Sequence, residues 1–174
     1  MGDAPAGDGV DDGFDEFAAA AWPRLHRAEV LLCGDHHLAE DLVQTALART
    51  FARWRKVRRE DALAYARRTL VNLNIDRHRR RLGTVEVGDD ALQTHPERTD
   101  ERAEQRDEVV RLLRTLTDRE RRVVVLRHYL DLSEAEAARE LGVAPGTVKS
   151  ALSRALAKLR VAAQAGAVEE VVER

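Results

Sequence analysis

Two stretches of this sequence carry side chains suited to gripping a polyanion. From Pro145 to about Ala163 the 3.6-residue helical repeat gathers Gly146, Lys149, Ser150, Ser153, Arg154 and Arg160 on one side. The opposite side is a narrow apolar stripe of Val148, Leu152, Ala155 and Leu159. Small residues come first and cations follow, so a helix could approach closely and then offer donors to base edges and phosphates. A solvated basic helix has much the same composition, and the face alone leaves both readings open. In the other stretch, Arg68, Arg79, Arg80 and Arg81 are cations suited to phosphates, while Tyr65 and Trp54 offer flat rings on which unpaired bases stack. Trp54 also falls on an apolar stripe, which favours a core position for it.

Candidates for catalysis are few. Cys33, His36 and His37 are metal-ligand types, yet zinc draws four ligands at set spacings and no second Cys or His pair follows nearby. No glycine loop is built to cradle phosphate and no nucleophile elbow is present. Neither an enzyme activity nor a cofactor or metal is expected.

The elements that must hold these side chains read as helices throughout. Aromatic residues make up 4% of the chain and apolar residues 44%, so a core must be built from Leu, Val and Ala, as in helix bundles. A first helix is expected from Phe14 to Leu32, bent or restarted at Pro23. A second runs from Leu38 to Trp54, with Val43, Leu47, Phe51 and Trp54 on its apolar face and Asp41, Thr45, Ala48 and Arg49 opposite. A third spans about Asp61 to Arg81, burying Leu63, Ala66, Leu70 and Leu73, with Tyr65, Arg68, Asn72 and Arg79 on its other side. Thr117 to Glu120 and Ser133 to Glu136 both have capping-box spacing. The helix begun at Ser133 should end at Leu141-Gly142, and Pro145 suits the first turn of the next. A short helix, a Gly-Val-Ala turn and a longer helix make a helix-turn-helix. Ala144 at the N-cap is a weak spot, since Ser there would add roughly 0.5–2 kcal/mol.

Charge divides the chain into modules. The net −2 conceals six acids and no base in residues 1–16, +9 over residues 49–81, −6 over 82–108 and +5 over 109–163. Two basic modules are thus separated by an acidic connector. The expected division is an acidic disordered tail (1–13), a first helical domain (14–81), a flexible linker (82–104), a second helical domain (105–163) and a C-terminal tail (164–174). Bundles of roughly 60 residues are marginal alone and gain stability from a partner. The single cysteine fits a reducing cytosol, and no apolar run approaches the roughly 20 residues that span a bilayer. A soluble cytoplasmic protein without membrane insertion is expected.

A helix-turn-helix alone would suit a dimeric regulator binding a palindrome, and the wider sequence points elsewhere. Leu132 through Ala138, Leu141-Gly142-Val143 and Gly146-Thr147-Val148-Lys149-Ser150 resemble domain four of the extracytoplasmic-function sigma factors of the sigma-70 superfamily, as does the lead-in from Leu116 to Arg127. Ala39-Glu40-Asp41-Leu42-Val43-Gln44-Thr45-Ala46-Leu47 is similar to region two of that family, and Tyr65 through Arg77 to its promoter-melting region. The resemblance covers roughly 14–81 and 105–162 in the family's order and is nearest the actinobacterial SigE-like group. It implies a promoter-specificity subunit whose partners are the RNA polymerase core, through the β′ clamp and the β subunit, and promoter DNA. Polymerase would be met by Asp41, Gln44, Thr45 and Ala48, although many relatives carry an acid where this chain has Thr45. The minus-ten strand would be met by Tyr65, Arg68, Asn72, Arg79, Arg80 and Arg81, with Asn72 and the following loop holding a flipped base. The minus-thirty-five duplex would be met by Thr147, Lys149, Ser150, Ser153 and Arg154. Whether an anti-sigma factor is also a partner is left open. So is the role of the acidic tail and linker, which could cover the basic faces or follow a nucleic-acid path.

Overall fold

The computed structural model describes residues 13–83 and 108–172, and every regular element among them is helical. The acidic tail and nearly all of the linker lie outside the described residues. The first module holds α1 (Phe14–Cys33), α2 (His36–Phe51) and, after a 3₁₀ turn at Arg59–Asp61, α3 (Ala62–Gly83). The second holds α4 (Glu108–Arg114), α5 (Asp118–Val124) running into a π-turn (Val125–Tyr129), α6 (Glu134–Leu141) and α7 (Pro145–Val172).

Local chemistry sets most of the boundaries. The Asp35 side chain accepts the Leu38 amide at 3.0 Å and starts α2. Thr117 and Glu120 form a reciprocal capping box at α5, and Ser133 and Glu136 form another at α6. Gly142 ends α6 at φ 65°, a left-handed conformation that glycine adopts without steric cost. Pro23 lies inside α1, which runs through it without a restart. It is solvent-exposed, and so are Ala19 and Ala20 one turn earlier, where water can satisfy the carbonyl that the proline leaves free.

Two expectations need correcting. α2 stops at Phe51 instead of Trp54, and Phe51 is 40% exposed. Trp54 is buried all the same, because the turn that follows folds its ring against Phe14 and Phe17 at centroid distances of 5.0 and 5.1 Å. The Arg59 guanidinium covers the ring at 4.0 Å, so Trp54 is a core residue and not a platform for bases. At the other end, α7 continues to Val172, past the expected end near Ala163.

The apolar core has two parts. One belongs to the first module alone and joins Ala21 and Leu25 of α1, Val43, Ala46 and Leu47 of α2, and Ala66, Leu70 and Leu73 of α3. The other runs through both modules, with Ala28, Val30, Leu31, Leu32 and Val71 packed into one cluster with Leu113, Leu116, Val123, Leu126, Ala137, Val148, Ala151 and Ala155. Polar contacts reinforce this joint. Arg24 donates to the Leu130 carbonyl, Arg114 to that of Gly34 and Arg121 to that of Leu32, each at 3.0 Å. Arg121 is buried and donates also to the Leu113 and Leu116 carbonyls. Arg67 pairs with Glu140 at 3.1 Å and His78 with Asp118 at 2.7 Å. Each marginal bundle thus finds its stabilising partner in the other.

Candidate nucleic-acid interface

Three exposed faces result. On α2, burial of Ala39, Val43, Ala46 and Leu47 turns Asp41, Gln44, Thr45 and Ala48 to solvent on one side. Thr45 donates to the Asp41 carbonyl one turn back at 2.9 Å, which leaves the Asp41 carboxylate available to a partner.

The second face is concave. An open cavity of about 420 Å³ lies between the end of α2 and the first half of α3, lined by Arg49, Ala52, Arg53, Tyr65, Thr69 and Asn72. Tyr65, Thr69 and Asn72 fall at i, i+4 and i+7 and so share one side of α3, while Arg49 and Arg53 are a helical turn apart across the gap. Thr69 donates to the Tyr65 carbonyl at 2.8 Å. The cavity therefore combines a ring, an amide with donors and an acceptor, and two cations, a set able to hold a planar base and its phosphate. Of the residues expected at the minus-ten strand it unites Tyr65 and Asn72. Arg68 is exposed outside the lining, and Arg79, Arg80 and Arg81 lie beyond it at the exposed end of α3. Arg49, Arg53 and Thr69 were not expected there. The sequence hints at the two arginines only through their four-residue spacing, with Arg49 in the last turn of α2 and Arg53 in the turn that follows it.

The third face is the outer side of α7. Val148, Ala151 and Ala155 are fully buried, with Leu152 and Leu159 partly so, which places Lys149, Ser150, Ser153 and Arg154 in solvent and leaves Thr147 half-buried. Ser150 donates to the Thr147 carbonyl at 3.1 Å. Arg154 is not isolated. Its Nε lies 3.9 Å from the buried Glu120 carboxylate, which also accepts from Lys158 Nζ at 2.8 Å. Burial opposes ionisation of Glu120, yet hydrogen bonds from Lys158 and from the Thr117 amide and hydroxyl outweigh it and hold the carboxyl below its ordinary range. Glu120 thus caps α5 and anchors two cations of α7 at once. Among the described residues, no three His, Cys, Asp or Glu side chains gather as a metal ion would require. No described helix is long and apolar enough to cross a membrane.

A helix-turn-helix beside a second helical module with a concave face lined by cations is an arrangement suited to nucleic acid. Comparison with known proteins narrows the class. Residues 19–83 match the family model for sigma-70 region 2, and residues 106–159 match that for sigma-70 region 4. The chain is 40% identical over 152 residues to the RNA polymerase sigma-E factor of Streptomyces coelicolor, covering 84% of each chain. It is 38% identical over 152 residues to that of Streptomyces avermitilis, covering 84% of this chain and 83% of the other. In fold it is similar to the sigma factor RpoE of Bartonella quintana, crystallised with the anti-sigma factor NepR, with a TM-score of 0.64 and 24% identity over 84% of this chain and 94% of that one. The chain belongs to the extracytoplasmic-function sigma factors of the sigma-70 family, within the SigE-like actinobacterial group. It binds RNA polymerase and directs transcription initiation through promoter elements, and it is not itself an enzyme.

Proposed function

We propose that residues 14–81 act as the domain that meets both polymerase and the unpaired minus-ten strand, and residues 105–163 as the domain that grips the minus-thirty-five duplex. The observation that carries this reading is the cavity lined by Tyr65, Asn72, Arg49 and Arg53. Extruding a base costs a few kcal/mol, and stacking on a ring returns roughly 1–3 kcal/mol per base. Tyr65 supplies the ring, Asn72 the hydrogen bonds and the two arginines the phosphate charge. Arg68, Arg79, Arg80 and Arg81 extend the basic path for the strand. On α2, Asp41, Gln44, Thr45 and Ala48 form the surface for the β′ clamp of the core, with the β subunit as a further partner. On α7, Thr147, Lys149, Ser150, Ser153 and Arg154 enter the major groove, and Glu120 holds Arg154 at one edge of that face. An anti-sigma factor is a fitting regulatory partner, as for the Bartonella protein of the same fold. The site of action is the cytoplasm, where polymerase and promoters are.

The test is run-off transcription from a promoter library with purified core polymerase. The protein should create discrete new start sites sharing upstream elements. Asn72→Ala should cut productive initiation at least tenfold while core binding is retained, Asp41→Ala should weaken core binding, and Arg154→Ala should relax selection at the upstream element. Tight binding of a palindromic duplex with no added transcripts would replace this reading with that of a dimeric regulator.

A further inference from the structure

Glu29 is the one fully buried carboxylate among the described residues, and promoter recognition gives it no task. It sits on α1 among Ala28, Val30, Leu31 and Leu32, the residues that contribute to the core shared by both modules. Asn74 of α3 donates to its Oε1 at 2.6 Å, and Oε2 has no hydrogen-bond partner. The Asn74 carbonyl oxygen, Oδ1, accepts from Arg122 Nε of α5 at 3.0 Å, so a chain of Glu29, Asn74 and Arg122 crosses from one module to the other.

We propose that Glu29 is a proton-linked latch, whose carboxyl is held neutral while the modules are packed together and gives up its proton when they part. An ionised carboxylate in this position would keep one amide bond, leave its second oxygen bare and have no direct ion pair. The charged groups acting on it are Arg122 from α5 and Arg77 from α3, with the neutral Cys33 one turn along its own helix. Burial is the largest influence and exceeds the Asn74 bond and both arginines, and the carboxyl is pushed up to about 8. Separation would return water to this stretch of α1 and restore an ordinary carboxylate value near 4.5. Between those limits the packed form binds more protons than the parted one, so rising pH favours parting until the upper limit is passed. The mechanical consequence rests on the sigma-factor reading. The two promoter elements lie roughly 25 base pairs, about 85 Å, apart along the duplex. A compact chain of this length has a radius of gyration of about 16 Å and could not engage both at once.

Cys33 lies half-buried at the joint, packed against the shared core, and is the only cysteine of the chain, so the component of its modification rate that needs the joint to open reports the rare parted form in the full-length protein. The ratio of wild-type to Glu29→Gln rates for that component removes the thiol's own pH dependence. It should rise about 25-fold from pH 6.5 to 8.5, while amide exchange at Val43 and Leu70, buried in the first module alone, shows no such change relative to the variant. Arg122→Gln, which deletes the cation that eases ionisation, should move the upper limit of the pH window upward, and this holds even if Glu29→Gln does not fold. A flat ratio, an unmoved window in Arg122→Gln, or exchange at Val43 and Leu70 rising in step with Cys33 modification would each overturn the latch. None of these readouts involves polymerase, so their failure and that of the transcription assay are distinguishable.

Discussion

Glu120 shows how much one side chain can be asked to do in a small protein. Its carboxylate closes the capping box with Thr117, accepts from Lys158 at 2.8 Å and lies 3.9 Å from Arg154. The sequence reveals the first of these roles, because a Thr three residues before a Glu is a local signal. It conceals the other two, because Lys158 is 38 residues away. A carboxyl held below its ordinary range contributes stability that is complete above the unfolded value near 4.5 and is lost as pH falls through the folded value. Glu120→Gln should therefore lower stability at pH 7 by about 1–2 kcal/mol and flatten its decline toward acid pH, both measurable by urea denaturation across a pH series. The cavity residues divide in the same way. Tyr65 and Asn72 were legible because they lie within one recognisable helix. Arg49 and Arg53 were not, since their place depends on how α2 packs on α3.

Among the elements, the buried stripes and the helix ends that carry a local cap were easiest to read, and the uncapped ends after Phe51 and Ala163 were not. Both capping boxes, the Asp35 cap and the stop at Gly142 follow from side chains within four residues of the boundary. The end at Phe51 does not, because the turn that returns Trp54 to the core answers to Phe14, Phe17 and Arg59, and the apolar spacing of Trp54 is the same as a continued helix would give. Two glycine turns allow a comparison. Gly142 and Gly34 both adopt positive φ, at 65° and 73°, so a side chain at either is strained by about 1 kcal/mol. Around Gly142 nothing lies within 4 Å of an added Cβ, whereas at Gly34 that atom would stand 2.9 Å from Arg114 Nε. Gly34→Ala should displace Arg114 from the carbonyl it bonds and cost at least 1 kcal/mol more than Gly142→Ala, as thermal denaturation of the two variants would record.

For the whole molecule, composition and pattern announced two helical modules, and two were found. Their union was not announced. Arg121 reads in sequence as another surface cation, yet it is buried with its guanidinium on three carbonyls, one of them Leu32, 89 residues earlier. No local pattern encodes a partner so far away. With a core common to both modules, heat should unfold them in one transition, so that Trp fluorescence, which reports only the first module, and helical circular dichroism share a midpoint. Arg121→Met should lower that midpoint, with a stability loss of roughly 3 kcal/mol for the carbonyls left without a donor. Two separated transitions in the unmodified protein would contradict the shared core.

That shared core also imposes a schedule on synthesis. Ala28 to Leu32 leave the ribosome early, while the last of the buried residues that cover them, Ala155, is added 123 residues after Leu32. At bacterial elongation speeds the interval is about 6 to 25 seconds, during which the first module can close its private core of Leu25, Val43 and Leu70 but must carry an uncovered apolar flank. In every newly made copy there is thus a brief age at which that flank is open to other nascent chains and to chaperones.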